Sequence, residues 1–136
     1  MSEFTVPTNA TELLERTVTI LSNPESWTQH FMARDASGEP VEAYEESAKC
    51  FCMLGAMERA RYGIIPHAAL MEQYANEVAM QSEHDAQAIV RHILAKRYGT
   101  GSYGISTFND CAPHATVLSV LNESLQYSKD NNHSVA

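Results

Sequence analysis

The chain has 136 residues, 44% of them hydrophobic, which is enough apolar material for one domain whose core forms without disulfides. A formal net charge of −8 argues against general affinity for nucleic-acid backbones, because such binding needs clustered lysine and arginine. No apolar run approaches the roughly 20 residues that span a bilayer, and no signal-peptide pattern opens the chain. With an odd number of cysteines, three, the sequence predicts a soluble, cytoplasmic protein that binds neither nucleic acid nor membranes.

The first third of the chain predicts a helix and a small β-hairpin. Asn9-x-x-Glu12 resembles a capping box, and Asn23-Pro24 should end the helix that it starts. Phe31–Arg34 predicts a short strand, Asp35–Gly38 has the composition of a turn, and Pro40 restricts the returning strand to a sheet edge. Trp27, the only tryptophan, should anchor this hairpin onto the core or contribute to an interface.

The remainder predicts further helices separated by glycine and proline. The predicted elements are a helix from about Tyr44 to Tyr62 ended by Gly63, a third helix that Pro66 opens, a fourth capped by Ser82 and ended by Gly99, a short extended piece at Ile105–Phe108, and a last helix from about Pro113 to Tyr127. We therefore expect a mainly α, single domain of about five helices with a small β-hairpin. Its core should span about residues 10–127, with 128–136 as a flexible polar tail.

Cys50 and Cys52 raise the question of metal binding. On a regular helix, residues two apart point about 200° apart, so both thiols could bind one metal only in an extended segment. Cys111-x-x-His114 would then complete a formal Cys3His set. Small residues favour packing instead, because they recur along one face of the predicted second helix at Ala48, Cys52, Gly55, Ala56 and Ala60. We expect Cys52 to be a packing residue close to another backbone, and we expect no metal or cofactor.

A thiol enzyme, a cysteine-dependent hydrolase or transferase with Cys52 as its nucleophile, is the alternative interpretation. Such an enzyme needs the nucleophile beside a histidine that a third group orients. The sequence offers His114 or His67 as the base, and Asn109 or Asp110 as the orienting group. The required residue types are present, but their spacing forms no complete catalytic signature.

The glycine-rich stretch Gly99–Gly104 and the start of the last helix offer a ligand hypothesis. GTGSYG matches G-x-G-x-x-G, yet it follows a helix, whereas a dinucleotide fingerprint follows a strand and opens a helix. We interpret the glycines as a helix terminator and a turn. Asp110 should cap the last helix and Asn109 should close an Asx turn, although the same helix start could accept a small anionic ligand.

Four short motifs, in this order, resemble a family of small uncharacterised proteins of bacteria and phages, a domain of unknown function. The family pattern runs W-T-Q, A-R-D-x-x-G-x-P-V, C-x-L-G-A and W-N-D. The chain has Trp27-Thr28-Gln29, Ala33–Val41, Cys52–Ala56 and Phe108-Asn109-Asp110, so the resemblance covers roughly residues 10–125. It departs from the pattern at Phe108, where tryptophan is usual, and in the additional Cys50.

The resemblance carries no established activity. It implies that seven residues converge on one site or one structural junction between the hairpin, the cysteine helix and the N-D loop: Trp27, Arg34, Asp35, Cys52, Gly55, Asn109 and Asp110. Of these, we select Trp27, Arg34, Asp35, Asn109 and Asp110 as candidate binding residues. We expect a non-enzymatic interaction protein, phage-associated and host-directed, that binds a cellular protein or self-associates. The acidic stretch Glu39–Glu46 and the exposed segment Phe31–Val41 favour this function.

Overall fold

The computed structural model describes residues 4–66, 68–99 and 104–132. Within these ranges the chain forms five α-helices and three short strands, which confirms the predicted mainly α, single-domain fold. In chain order the elements are α1 (Ala10–Leu21), a 3-10 turn (Pro24–Ser26), β1 (Ala33–Arg34), β2 (Pro40–Val41), β3 (Cys50–Phe51), α2 (Met53–Tyr62), a 3-10 segment (Ala68–Tyr74), α3 (Glu77–Tyr98), α4 (Ile105–Cys111) and α5 (His114–Asn132). No helix in the described ranges combines the length and the apolar character that crossing a membrane requires.

Helix α1 lies at the centre of the fold and packs against α2, α3 and α5. It begins as predicted, because the Asn9 side chain accepts a hydrogen bond from the Glu12 amide at 2.8 Å and so caps a free N–H group. The central position follows from its apolar face. Large, fully buried side chains come from all four helices: Leu13, Leu14, Leu21, Met53, Met57, Val90, Ile93, Leu94, Val117, Val120 and Leu121.

The predicted hairpin is present and is extended by a third strand. The sheet order is β2-β1-β3, with Ala33 opposite Val41 on one side and opposite Phe51 on the other, both antiparallel. The Asp35 carboxylate closes the hairpin turn by accepting hydrogen bonds from the Ser37 hydroxyl, the Ser37 amide and the Glu39 amide at 2.7–3.0 Å. These bonds lower the pKa of the Asp35 carboxyl, and the bond from the Ser37 hydroxyl has the largest effect.

The predicted start of the second helix is wrong. Helix α2 begins at Met53 rather than near Tyr44, because Cys50–Phe51 pairs with β1 as β3. The preceding chain is held in a non-helical path by the Arg59 guanidinium, which donates to the carbonyls of Ala43 and Glu45 at 2.8 and 2.9 Å. Pairing with a distant strand therefore overrides local helix propensity.

The third and fourth predicted helices differ in a similar way. Ala68–Tyr74 is a 3-10 segment, and a single 22-residue helix, α3, begins at Glu77. Asn76 caps it by accepting from the Ala79 amide at 3.0 Å. Ser82, the predicted cap, instead lies buried within α3 and donates to the Val78 carbonyl.

Two further predictions concern the C-terminal part. Ile105–Cys111 is a helix rather than an extended piece. Helix α5 continues five residues past Tyr127 to Asn132, where the buried Ser128 hydroxyl lies 2.6 Å from the Thr11 hydroxyl and holds this last turn against α1. His67, the middle of the glycine-rich stretch (100–103) and residues 133–136 lie outside the described residues.

Candidate functional site: the junction of the arm with α2 and α4

Asn109, on α4, is the polar centre of a junction between α2, α4 and residues 27–41, which we call the arm. Its side chain is fully buried. The amide oxygen accepts from the Trp27 indole N–H at 2.8 Å and from the Met53 amide at 3.1 Å. The amide nitrogen donates to the Thr28 carbonyl at 3.0 Å and to Asp110 at 3.3 Å. The predicted Asx turn is therefore wrong: Asn109 joins three distant segments.

Gln29 and Asp110 extend these contacts. The Gln29 amide donates to the carbonyls of Asn109 and Ala112 at 3.0 and 3.2 Å, at the end of α4. The Asp110 carboxylate accepts from the His30 backbone amide at 2.8 Å, and its other oxygen lies 3.5 Å from the His30 imidazole. The Asp110 carboxylate thus binds the arm, whereas the sequence predicted that it would cap the last helix. His30 has φ of 76°, a left-handed conformation that is strained for a non-glycine residue.

The arm also touches α2 backbone to backbone at Gly55. A Cβ atom at this position would lie 1.8 Å from the Met32 carbonyl oxygen. The same carbonyl accepts from the Cys52 amide at 3.2 Å. Only glycine fits here, so the close approach that the small residues predicted is present, with the arm as the approaching backbone.

Cys52 is the N-cap residue of α2 and is buried. Its sulfur accepts from the Gly55 amide at 3.3 Å and lies 4.0 Å from the Met32 sulfur. Burial raises the pKa of the thiol, and the nearby Asp110 carboxylate raises it further. In these surroundings the sulfur packs against Met32 and caps the start of α2.

The proposed catalytic base, His114, is engaged elsewhere. A ring nitrogen lies 2.6 Å from the Leu21 carbonyl oxygen, and the ring is tilted against Trp27 with centroids 5.7 Å apart.

Among the described residues, no three His, Cys, Asp or Glu side chains are grouped to hold a metal ion. Cys50 is half-buried in β3, and Cys111 is exposed at the end of α4.

Arg34 and Asp35, the other two candidate binding residues, support the arm from within. The Arg34 guanidinium donates to the Thr28 hydroxyl and the Gly38 carbonyl at 3.0 and 3.1 Å, and it covers the Phe31 ring at 4.4 Å. Asp35 acts only within the turn. The structure therefore brings Trp27, Cys52, Gly55, Asn109 and Asp110 together, connects Arg34 to them through Thr28, and leaves Asp35 apart.

The part of the arm that precedes β1 presents apolar surface. Phe31 and Met32 are 42% and 36% exposed although the backbone beneath them is fixed by Asp110 and Gly55. The acidic segment Glu39–Glu46 includes β2, and most of its carboxylates are exposed. A surface cavity of about 330 Å³ opens there between Pro40, Val41, Glu42 and Glu45.

A second polar cluster, absent from the sequence predictions, lies between α2 and α3. Arg61 and Glu83 form an ion pair at 2.8 Å with both side chains largely buried. Glu58 lies near this pair, and its pKa is raised to about 7 by burial and then by the charges of Glu83 and Glu42, against the opposing effect of Arg61. The only sequence feature that indicated this cluster is Glu58-x-x-Arg61, because residues three apart lie on one face of a helix.

The arm contacts were only partly visible in the sequence. The W-T-Q and N-D motifs named Trp27 and Asp110, but no local pattern indicates that Gln29 bonds to α4 or that His30 is left-handed.

Comparisons with known proteins identify one family. The family model "Family of unknown function (DUF6197)" matches residues 5–125. No curated protein and no solved structure matches the chain. The match spans most of the chain and includes the arm, α2 and α4. The chain therefore belongs to this family of unknown function, DUF6197.

Proposed function

We propose that this protein is a non-catalytic binding protein whose arm docks a basic, partly apolar segment of a cellular protein. One observation carries the proposal: Phe31 and Met32 are exposed on a backbone that the rest of the molecule holds in place. Exposed apolar side chains on a fixed loop are suited to binding, because little conformational entropy is lost when a partner covers them.

The strain at His30 supports the same function. A left-handed histidine persists only where surrounding contacts over-determine it, and Asp110 supplies such a contact through the His30 amide. This conformation directs the chain so that Met32 meets Gly55. The junction thus acts as a rigid base for Phe31 and Met32.

Charge and shape around β2 indicate the chemistry of the partner. The cavity beside Pro40 and Val41 has an apolar side, and the carboxylates of Glu42 and Glu45 flank it. A lysine or arginine side chain would place its aliphatic stem on the apolar side and its charge beside the carboxylates. The overall charge of −8 would also favour approach of a basic segment.

The thiol-enzyme and anionic-ligand hypotheses gain no support from the geometry. Cys52 is buried, its pKa is raised, and its described contacts are Gly55 and Met32. Asp110, which lies shortly before the last helix, carries a carboxylate that would repel a small anion bound at the start of that helix. The resemblance to phage proteins makes a host protein the first partner to test.

Site-specific photocrosslinking tests the proposal. A benzoylphenylalanine at Phe31 should form a discrete adduct with one protein in a cell extract, and the crosslinked peptide should map to a segment rich in lysine or arginine. The matched control is the same probe at Val78 on α3, which is 54% exposed and lies far along the chain from the arm. It should give no such adduct.

Charge removal provides the second arm of the experiment. The double variant Glu42→Gln, Glu45→Gln should reduce the adduct yield about threefold or more at low salt, because rim charges mainly set the rate of association. Equal adducts at both probe positions, a crosslink only to a second copy of the chain, or no adduct at all would each refute the proposal.

A further inference from the structure

Glu58 is a half-buried carboxyl group on α2 that the proposed function does not use. It lies three residues before Arg61, and residues three apart share one face of a helix. The Arg61 guanidinium is already paired with the Glu83 carboxylate of α3 at 2.8 Å, and both of these side chains are largely buried. Two carboxyl groups therefore share one guanidinium in a partly buried place, where like charges favour the protonated form of one of them.

The acidic segment Glu39–Glu46 is held against the same helix. The Arg59 guanidinium donates to the carbonyls of Ala43 and Glu45 at 2.8 and 2.9 Å. The rings of Tyr44 and Tyr62 meet edge to face, with centroids 6.3 Å apart. Because these contacts hold the backbone of the segment on α2, the fold fixes how close its carboxylates come to that helix.

The charged and titratable groups that face Glu58 come from three elements. They are the carboxylates of Glu42 in the acidic segment and Glu83 on α3, the Arg61 guanidinium on α2, and the buried phenol of Tyr44. Burial, followed by the charges of Glu83 and Glu42, raises the pKa of Glu58 to about 7, and Arg61 opposes this effect. Glu58 thus changes its charge near neutral pH, and Glu42 is one of the groups that control this change.

Glu42 also lines the cavity beside Pro40 and Val41, where the proposed function places a lysine or arginine side chain of the partner. A cation seated there offsets the Glu42 carboxylate and so favours the ionised form of Glu58. We propose that docking of a basic segment beside Glu42 releases a proton from Glu58 to solvent, so that the protein binds this segment more tightly as pH rises. This inference rests on the proposed function and adds a pH dependence to it.

The direction of the pH dependence follows from linkage. The carboxyl group of Glu58 loses its proton and becomes a carboxylate, and no other bond changes. Because the complex then holds fewer protons than the free protein, the affinity rises with pH through the range in which Glu58 titrates. It levels off well above the pKa of about 7, where Glu58 is ionised before the partner binds.

The coupling between Glu42 and Glu58 is tested first in the free protein. NMR of the side-chain carboxyl carbon of Glu58, recorded from about pH 5 to pH 9 at low salt, gives the midpoint of its titration. Glu42→Gln removes a negative charge and should lower this midpoint. Glu39→Gln, in the same segment, is the matched control and should leave it unchanged, because Glu39 is not among the groups that face Glu58. An unchanged midpoint in Glu42→Gln would refute the coupling.

A basic peptide then tests the linkage. The probe is a short peptide of alternating arginine and leucine with blocked ends, which has no group that titrates in this pH range. Isothermal titration calorimetry of the full chain should show about threefold tighter binding at pH 8 than at pH 6. Repeating the titration near pH 7 in buffers of different ionisation enthalpy should show that binding releases a fraction of one proton.

Two variants assign the released proton. Glu58→Gln keeps an uncharged side chain at every pH, so it should bind the peptide as weakly at pH 8 as the parent protein does at pH 6, without proton release. Glu123→Gln, which removes a carboxylate paired with Arg97 on the far side of α3, should behave like the parent protein. The imidazole of His30 remains in Glu58→Gln, so any pH dependence that this arm residue causes would persist there.

Failure of the linkage and failure of the proposed function give different results. If Glu42→Gln, Glu45→Gln weakens peptide binding but the parent protein and Glu58→Gln depend on pH equally, the linkage is wrong and the proposed function stands. If the peptide does not bind at either pH, or if the double variant binds it equally well, the basic docking site is wrong and the linkage fails with it.

Discussion

Asn109 and Arg61 are two buried polar side chains with opposite degrees of satisfaction. Asn109 accepts two hydrogen bonds and donates two, and its partners come from the arm, α2 and α4. Arg61 forms one ion pair and leaves Nε unpaired. A buried amide whose hydrogen bonds are all made fixes how the segments around it meet. The guanidinium of Arg61 instead leaves one buried donor without a partner and lies near Glu58, a carboxyl group with a raised pKa.

The largest expected effect is the loss of the Asn109 side chain. Asn109→Ala should lower the free energy of unfolding by about 3 kcal/mol, because it leaves the indole N–H of Trp27 and the Met53 amide without their acceptor. Urea denaturation followed by circular dichroism measures this. A change below about 1 kcal/mol would show that the arm is held without this amide.

Gly55→Ala tests the close approach of the arm to α2. The added Cβ would lie 1.8 Å from the Met32 carbonyl oxygen, so the two backbones must separate. We expect about 2 kcal/mol of destabilisation, since overpacking outweighs the gain in helix propensity. The matched control is Gly38→Ala in the hairpin turn, where a Cβ meets nothing within 4 Å and only the φ of +90° opposes the change. Equal destabilisation by both variants would contradict the role of the Met32 contact.

Trp27→Phe removes one contact of Asn109 and keeps the others. The Asn109 oxygen would retain the Met53 amide, so we expect a loss of about 1 kcal/mol rather than the full effect of Asn109→Ala. In the double variant the two effects should be less than additive, because both substitutions remove the same bond. Strict additivity in denaturation measurements would exclude this coupling.

The smallest expected effect is at Glu58 and depends on pH. Its folded pKa of about 7 exceeds the ordinary value of 4.5, so between these values the folded state binds more protons than the unfolded state. The stability that Glu58 contributes is therefore present at low pH and is lost as pH rises through about 7. Glu58→Gln should stabilise the protein by about 1–2 kcal/mol at pH 8 relative to pH 5, after allowance for partial exposure.

Thermal melts of both proteins across this pH range measure the effect. Glu123→Gln is the matched control, because hydrogen bonds from Arg97 and Lys96 lower the pKa of that partly exposed carboxyl below its ordinary 4.5. Its contribution to stability is lost only below that pH, so the difference between Glu123→Gln and the parent protein should stay constant between pH 5 and pH 8. A pH-independent difference between Glu58→Gln and the parent protein would contradict an elevated pKa.

The sequence predicted those parts of the fold that short-range chemistry controls. Asn9 and Glu12 marked the start of α1, because a cap is a bond between residues three apart. The Asp35 turn and the hairpin followed from turn composition and from the proline at the sheet edge, whereas the register of Ala33 opposite Val41 came from the structure. The mainly α fold class followed from helical periodicity.

The errors share one physical cause. The segment before α2 has helical spacing, yet Cys50–Phe51 pairs with a strand 16 residues or more away, and Arg59 holds the preceding carbonyls out of a helix. The predicted break before Ser82 was wrong because Ser82 can bond within a helix as well as cap one. Local composition leaves such choices open, and contacts between distant segments decide them.

By itself, the sequence determined the mainly α fold class, the start of α1, the hairpin turn and the small residues around the start of α2. Only the tertiary structure decided that Asn109 joins three segments, that the Cys52 sulfur caps α2 and lies against Met32, and that Arg61 is left partly unpaired. The reason is that hydrogen-bond satisfaction and burial are properties of groups brought together from distant positions, which no local pattern encodes.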